Sequence, residues 1–179
     1  SNTDFSVQLQ DAKNKGAELV FLPVYYQQAC IILKQASDMQ YEPTFFGCDG
    51  LDGILGVDGF DKSLAEGVML LTPFAADDMA QSTQDFVAKY KEAYGETPSQ
   101  FAADAYDAVY TVKAAAEAAG ITGDMSASDI CDALMEQMKT IEVDAITSKE
   151  GVPMKWDANG MVDKAPKAVI ITDGAYKAM

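Results

Sequence analysis

Leu19-Val20-Phe21-Leu22 runs without a polar residue into Pro23-Val24-Tyr25-Tyr26, and this stretch decides the fold. A short apolar run halted by proline fits a strand of a parallel sheet, buried on both faces. The residues before it read as a helix, with Phe5, Leu9 and Ala12 on one face, Asp4 to cap its start and Gly16 to end it. After it, Ala29, Ile32, Leu33 and Ala36 recur at helical spacing. Thr44-Phe45-Phe46 then enters Gly47-Cys48-Asp49-Gly50 as a second strand. Beyond a loop rich in glycine and aspartate, Val68-Met69-Leu70-Leu71-Thr72 gives a third strand that stops at Pro73. This alternation is the rhythm of an open parallel α/β sheet.

Further along, the rhythm changes. Residues 79 to 94 read as an amphipathic helix with Phe86, Tyr90 and Tyr94 on one face and Gly95 at its end. Pro98 opens an alanine-rich helix whose inward face is expected to hold Ala102, Ala105, Tyr106, Val109, Val112 and Ala116. Ser126 to Asp129 resembles a capping box for another helix through Ile130, Leu134 and Met138. The tail is β again: Val152, Met154 and Trp156 alternate, Asn159-Gly160 marks a tight turn, Ala168-Val169-Ile170-Ile171 forms a final strand, and Asp173-Gly174 forms a final turn. The helices between about 79 and 139 have no strands between them. Either they pack on the small sheet, or they belong to a lobe whose strands this chain does not contain.

Composition narrows the function. A 179-residue chain that is 49% hydrophobic and 23% charged supports a packed core. Its net charge of −15 repels phosphate backbones and anionic lipid, so neither nucleic acid nor a membrane surface is an expected partner. The absence of histidine removes histidine-based nucleophile pairs, HExxH zinc sites and histidine pH switches. Cys30, Cys48 and Cys131 form no CxxC pair and read as small buried hydrophobes. No run reaches the ~18 apolar residues of a membrane span. Ser1-Asn2 reads as an expression scar, a place where a natural leader would have been cut away, so the lack of a leader here says little about location.

Ligands bind open parallel sheets at the carboxyl ends of the strands. The first strand delivers Tyr25 and Tyr26 there, and the second delivers Asp49. A carboxylate beside an aromatic wall suits an ammonium-bearing ligand. The same residues also serve as a turn aspartate and surface tyrosines, and spacing alone leaves both readings open. The acidic loop fails the EF-hand template, since Leu51 and Ile54 stand where it needs an oxygen ligand and a glycine. No dinucleotide or P-loop fingerprint occurs, so no metal and no cofactor is expected.

These stretches resemble one family: the leucine/isoleucine/valine-binding-protein type (type I) of periplasmic or extracellular solute-binding protein of ABC transporters. The resemblance rests on Asp4-Phe5-Ser6, on the apolar strand into Tyr25-Tyr26 followed by Ile32-Leu33-Lys34-Gln35-Ala36, and on Phe46-Gly47-Cys48-Asp49-Gly50. It continues through Gly67-Val68 into Thr72-Pro73-Phe74, Ala105-Tyr106-Asp107-Ala108-Val109, and Trp156-Asp157 before Asn159-Gly160. The order and spacing of these pieces carry it. It implies α/β lobes closing on a small ligand, with the chain a C-terminal fragment whose first-lobe sheet is missing. Residues 4–74 would form most of the second, ligand-binding lobe. Residues 75–140 would be helices of the first lobe, and 141–179 a hinge crossing and terminal strands. The family position that binds the ligand ammonium is Asp49. Tyr25 and Tyr26 line the cleft, and Phe101 occupies the place from which an aromatic reaches the ligand side chain.

The resemblance further implies a binding module without catalysis. It would capture a branched-chain or other aliphatic amino acid outside the cytoplasm, either in the periplasm or lipid-anchored at the outer face of a Gram-positive membrane. Its partners would be that ligand and the membrane permease of an importer, with self-association of the fragment through its uncovered faces. Two other classes remain open: the ligand-sensing ectodomain of a receptor, and a small α/β enzyme using Asp49.

Overall fold

The computed structural model describes residues 3–149 and 151–179. The expression scar expected at Ser1-Asn2 lies outside the described residues. The chain divides into two compact units, one running up to Asp78 and resuming at Pro166–Met179, the other spanning Met79–Ala165.

The first unit is built on a five-stranded sheet in the order β1-β2-β3-β4-β5. Its strands are β1 (Leu19–Leu22), β2 (Thr44–Gly47), β3 (Met69–Thr72), β4 (Lys167–Thr172) and β5 (Ala175–Ala178). The first three are parallel, with Leu22 opposite Gly47 and Gly47 opposite Leu70. β4 then runs antiparallel to β3, and β5 antiparallel to β4. Asp173 and Gly174, both with positive φ, make the tight turn between the last two strands, as their sequence suggests. Glu66 clamps that turn by accepting the Asp173 and Gly174 N–H groups at 2.9 and 2.7 Å. β5 itself has no counterpart in the sequence reading, because Ala175-Tyr176-Lys177-Ala178 carries no apolar run.

Two helices accompany the parallel strands, α1 (Ser6–Asn14) and α2 (Tyr26–Asp38). Phe5 occupies the capping position of α1, and Asp4, one residue earlier, accepts the Ser6 N–H at 2.9 Å. The expected face of α2, Ala29, Ile32, Leu33 and Ala36, is fully buried. It packs with Leu22, Phe45, Leu51, Ile54, Leu70, Val169 and Ile171 into one core.

The expectation that β1 is buried on both faces fails. Leu19 and Phe21 are half exposed, and only Leu22 is fully buried. β1 is the edge of the sheet, and only one of its faces meets α2. The other face carries Phe21, Phe46, Met69 and Ile170 in register across four strands. Phe21 and Phe46 lean on each other with ring centroids 5.8 Å apart. The cysteine expectation also needs correction, since Cys30 and Cys48 are only half-buried and Cys131 is exposed.

The second unit holds α3 (Gln81–Tyr94), α4 (Gln100–Ala119) and α5 (Ala127–Met138), and no named strand among its described residues. Gly95 ends α3 and Gly120 ends α4, both in the left-handed conformation glycine adopts without strain. Ser126 caps α5: its hydroxyl accepts the Asp129 N–H at 3.2 Å and donates to the Asp129 carboxylate at 2.8 Å. The inward face expected for α4 is corrected. Its buried residues are Gln100, Ala103, Asp107, Thr111 and Ala115, while Tyr106, Val109 and Val112 are exposed. The apolar stripe is real but only partly covered: Phe86 of α3 packs on Tyr106 with ring centroids 5.2 Å apart, while Val109 and Val112 stay exposed. Val152, Met154 and Trp156 do not form a strand either; Met154 bridges Val143 and Trp156 bridges Val162, each in isolation.

Candidate ligand-binding site

The site is built where β1 and β2 end. Because they are neighbours and parallel, the chain leaves both at the same rim of the sheet. From β1, Pro23 and Val24 lead to Tyr25, which caps α2 in an extended conformation and is 62% exposed. Tyr26 is the first helical residue and turns half-inward onto the core. From β2, Cys48 leads into a 3-10 turn, Asp49–Leu51, in which Asp49 is exposed and Gly50 and Leu51 are buried.

Glycine brings the two loops together. A Cβ on Gly50 would lie 2.7 Å from the Val24 carbonyl oxygen and 3.4 Å from Cδ1 of Tyr25. Only a bare backbone can approach so closely, so Gly50 sets the Asp49 turn directly against Tyr25. Gly53 takes the left-handed conformation beside Tyr26, where a Cβ would lie in ordinary contact 3.4 Å from the ring, so its backbone rather than the space favours glycine. The structure therefore brings Tyr25, Tyr26 and Asp49 to one rim. Phe101 is exposed in the first turn of α4, in the other unit.

Asp49 is shaped by its own turn. Its Oδ1 accepts the Gly50 N–H at 2.9 Å, and its carbonyl accepts the Asp52 N–H at 3.0 Å. Leu51 and Ile54, both fully buried, fasten the loop to the core. Two further residues escaped the sequence reading. Asp52 is buried, and its Oδ1 accepts the Gly53 N–H at 2.8 Å. The Tyr176 hydroxyl accepts the same N–H at 2.9 Å from 123 positions away. Burial first, and then the negative charge of Asp52, push the Tyr176 phenol far above its ordinary value. The rim thus offers a carboxylate and an exposed aromatic ring. It can hold a cation by charge pairing and ring contact.

The chain is similar to known proteins in sequence and in fold. Residues 1–163 match the family model of the periplasmic binding proteins, and the chain belongs to that family. Its type is that of the leucine/isoleucine/valine-binding proteins. Leu/Ile/Val-binding protein homolog 7 of Brucella abortus is 26% identical over 171 residues, covering 92% of this chain and 41% of that protein. The branched-chain amino acid transporter substrate-binding protein LivJ of Streptococcus pneumoniae, solved with isoleucine, is 27% identical and superposes with a TM-score of 0.79. The match covers all of this chain and 49% of LivJ. A solute-binding protein of an ABC transporter from R. palustris, solved with benzoate, shares the fold at 18% identity, with a TM-score of 0.82 over 99% of this chain and 46% of its own. The chain spans about half the length of the relatives it matches. Among its described residues no helix is long and apolar enough to cross a membrane.

Proposed function

We propose that this chain carries the ammonium-recognising part of a solute-binding protein that captures a branched-chain or other aliphatic amino acid. The observation that carries the reading is the shared rim at the ends of β1 and β2, where Gly50 sets the Asp49 turn against Tyr25. Asp49 pairs with the ligand's ammonium group, Tyr25 walls the cleft, and Tyr26 backs the wall. The printed ligands of the relatives, Leu/Ile/Val and isoleucine, support an aliphatic side chain.

In this reading residues 4–74, with the terminal strands, are most of the second lobe. Residues 75–140 are helices of the first lobe, and 141–179 cross back between them. Phe101, in the first turn of α4, is the position whose aromatic contacts the ligand side chain. The protein acts outside the cytoplasm, passes its ligand to the membrane permease of an ABC importer, and performs no chemistry. Taken alone, the chain associates with itself through its uncovered apolar faces.

The test is Asp49→Ala in the full-length protein. A ligand charge left without its partner in a closed site costs about 2–5 kcal/mol, so L-leucine affinity in calorimetry should fall by about thirtyfold or more. Unchanged affinity would remove the ammonium assignment.

A further inference from the structure

The turn that carries Asp49 is held in place from the far end of the chain. Tyr176 lies in β5 opposite Ile171 of β4, and its ring packs against the core. Its phenol oxygen accepts the Gly53 N–H at 2.9 Å and, at the limit of reach, the Leu55 N–H at 3.5 Å. The Asp52 carboxylate accepts the same Gly53 N–H, at 2.8 Å. That carboxylate is 5% exposed, a costly place for a charge unless it is hydrogen-bonded. Asp52 in turn closes the turn through its N–H to the Asp49 carbonyl. A continuous path of bonds therefore runs from Tyr176 through Asp52 and Gly53 to Asp49. The burial of Leu51 and Ile54 fixes where the loop sits, since apolar packing is non-directional. Hydrogen bonds are directional, and they fix which way the turn faces.

We propose that Tyr176, acting with Asp52, is the positioning pair for Asp49: it sets the orientation of the turn so that the site selects ligands bearing an ammonium group. The inference rests on the assignment of Asp49 to that group. Neither residue touches the ligand. Their effect is on selectivity between an amino acid and the same acid without its amino group.

Tyr176→Phe in the full-length protein keeps the packed ring and removes only the hydroxyl. Calorimetry would compare L-leucine with 4-methylpentanoate, its counterpart lacking the amino group. L-leucine affinity is expected to fall about tenfold and that of 4-methylpentanoate by less than about twofold, the loss of one hydrogen bond to a charged group being confined to the ammonium contact. Amide exchange should quicken at Leu51, Asp52, Gly53 and Leu55 and stay unchanged along the β4–β5 ladder. Asp52→Ala, which removes the other half of the pair, should lower the same selectivity ratio. Equal weakening of both ligands, or faster exchange throughout β4 and β5, would reduce Tyr176 to a structural anchor and overturn the proposal. Asp49→Ala separates the two claims. If L-leucine affinity survives that substitution, the ammonium assignment fails. If it is lost there while Tyr176→Phe leaves the ratio untouched, the positioning role alone fails.

Discussion

Asp107 of α4 is 3% exposed, and its carboxylate accepts hydrogen bonds from the loop that follows α5. It accepts the Ile146 N–H at 2.8 Å, the Thr147 N–H at 2.9 Å and the Thr147 hydroxyl at 2.6 Å. Asp107→Ala strands the buried Thr147 amide and the part-buried Ile146 amide, and the unfolding free energy in urea should drop by about 3 kcal/mol. Asp107→Asn keeps one acceptor oxygen and should cost less; a cost near zero for both would contradict this account of the 145–148 loop. Asp157 is a lighter, exposed case. The Met161 N–H first, then the Asn159 N–H, hold its carboxyl below its ordinary 3.8. A depressed folded pKa contributes stability above the ordinary value and loses it as pH falls through the folded one. An NMR titration should place the Asp157 midpoint below 3.8, and a midpoint at or above that value would show the turn does not hold the carboxylate. At this scale the sequence was only partly legible. Tyr25 and Asp49 were readable because strand ends announce themselves. Asp52, Asp107 and Tyr176 were not, because what defines them is a partner 39 to 123 positions away.

At the scale of elements, the rim depends on glycine. Gly50→Ala drives a Cβ to 2.7 Å from a backbone oxygen, which has no flexible end to yield. The β1–α2 and β2 loops must then separate, at a cost of about 1–3 kcal/mol in stability and with loss of ligand affinity. Gly56→Ala, where nothing lies within 4 Å, is the control and should melt close to the parent protein. Equal behaviour of the two variants would mean the loops are not in tight contact. The strands β1 to β4 and the helices α1 to α5 were legible from apolar runs, helical spacing and, at several ends, the glycines that stop them. What the pattern could not say is which side is covered. Val109 and Val112 lie on a true helical stripe and are exposed, whereas Asp107 and Thr111 are buried. Periodicity identifies an apolar face, but burial depends on what is available to cover it.

For the whole molecule, two apolar surfaces stand open. One is the sheet face, where Leu19, Phe21 and Leu71 are exposed, and the other is the α4 stripe, where Val109 and Val112 are exposed. Patches of this kind seek partners, and only the net charge of −15 opposes association between copies. Light scattering of the 179-residue chain should therefore show concentration-dependent association, stronger in high salt, where charge repulsion is screened. A monodisperse monomer across that range would contradict it.

The central claim is that the Tyr25–Asp49 rim serves an amino-acid receptor, and a thermal-shift screen of the full-length protein against the free amino acids tests it most directly. Ligand at a hundredfold its dissociation constant should stabilise the protein by about 2.7 kcal/mol, and the shift should come from the branched-chain or other aliphatic members. The absence of a shift with every amino acid would contradict the assignment.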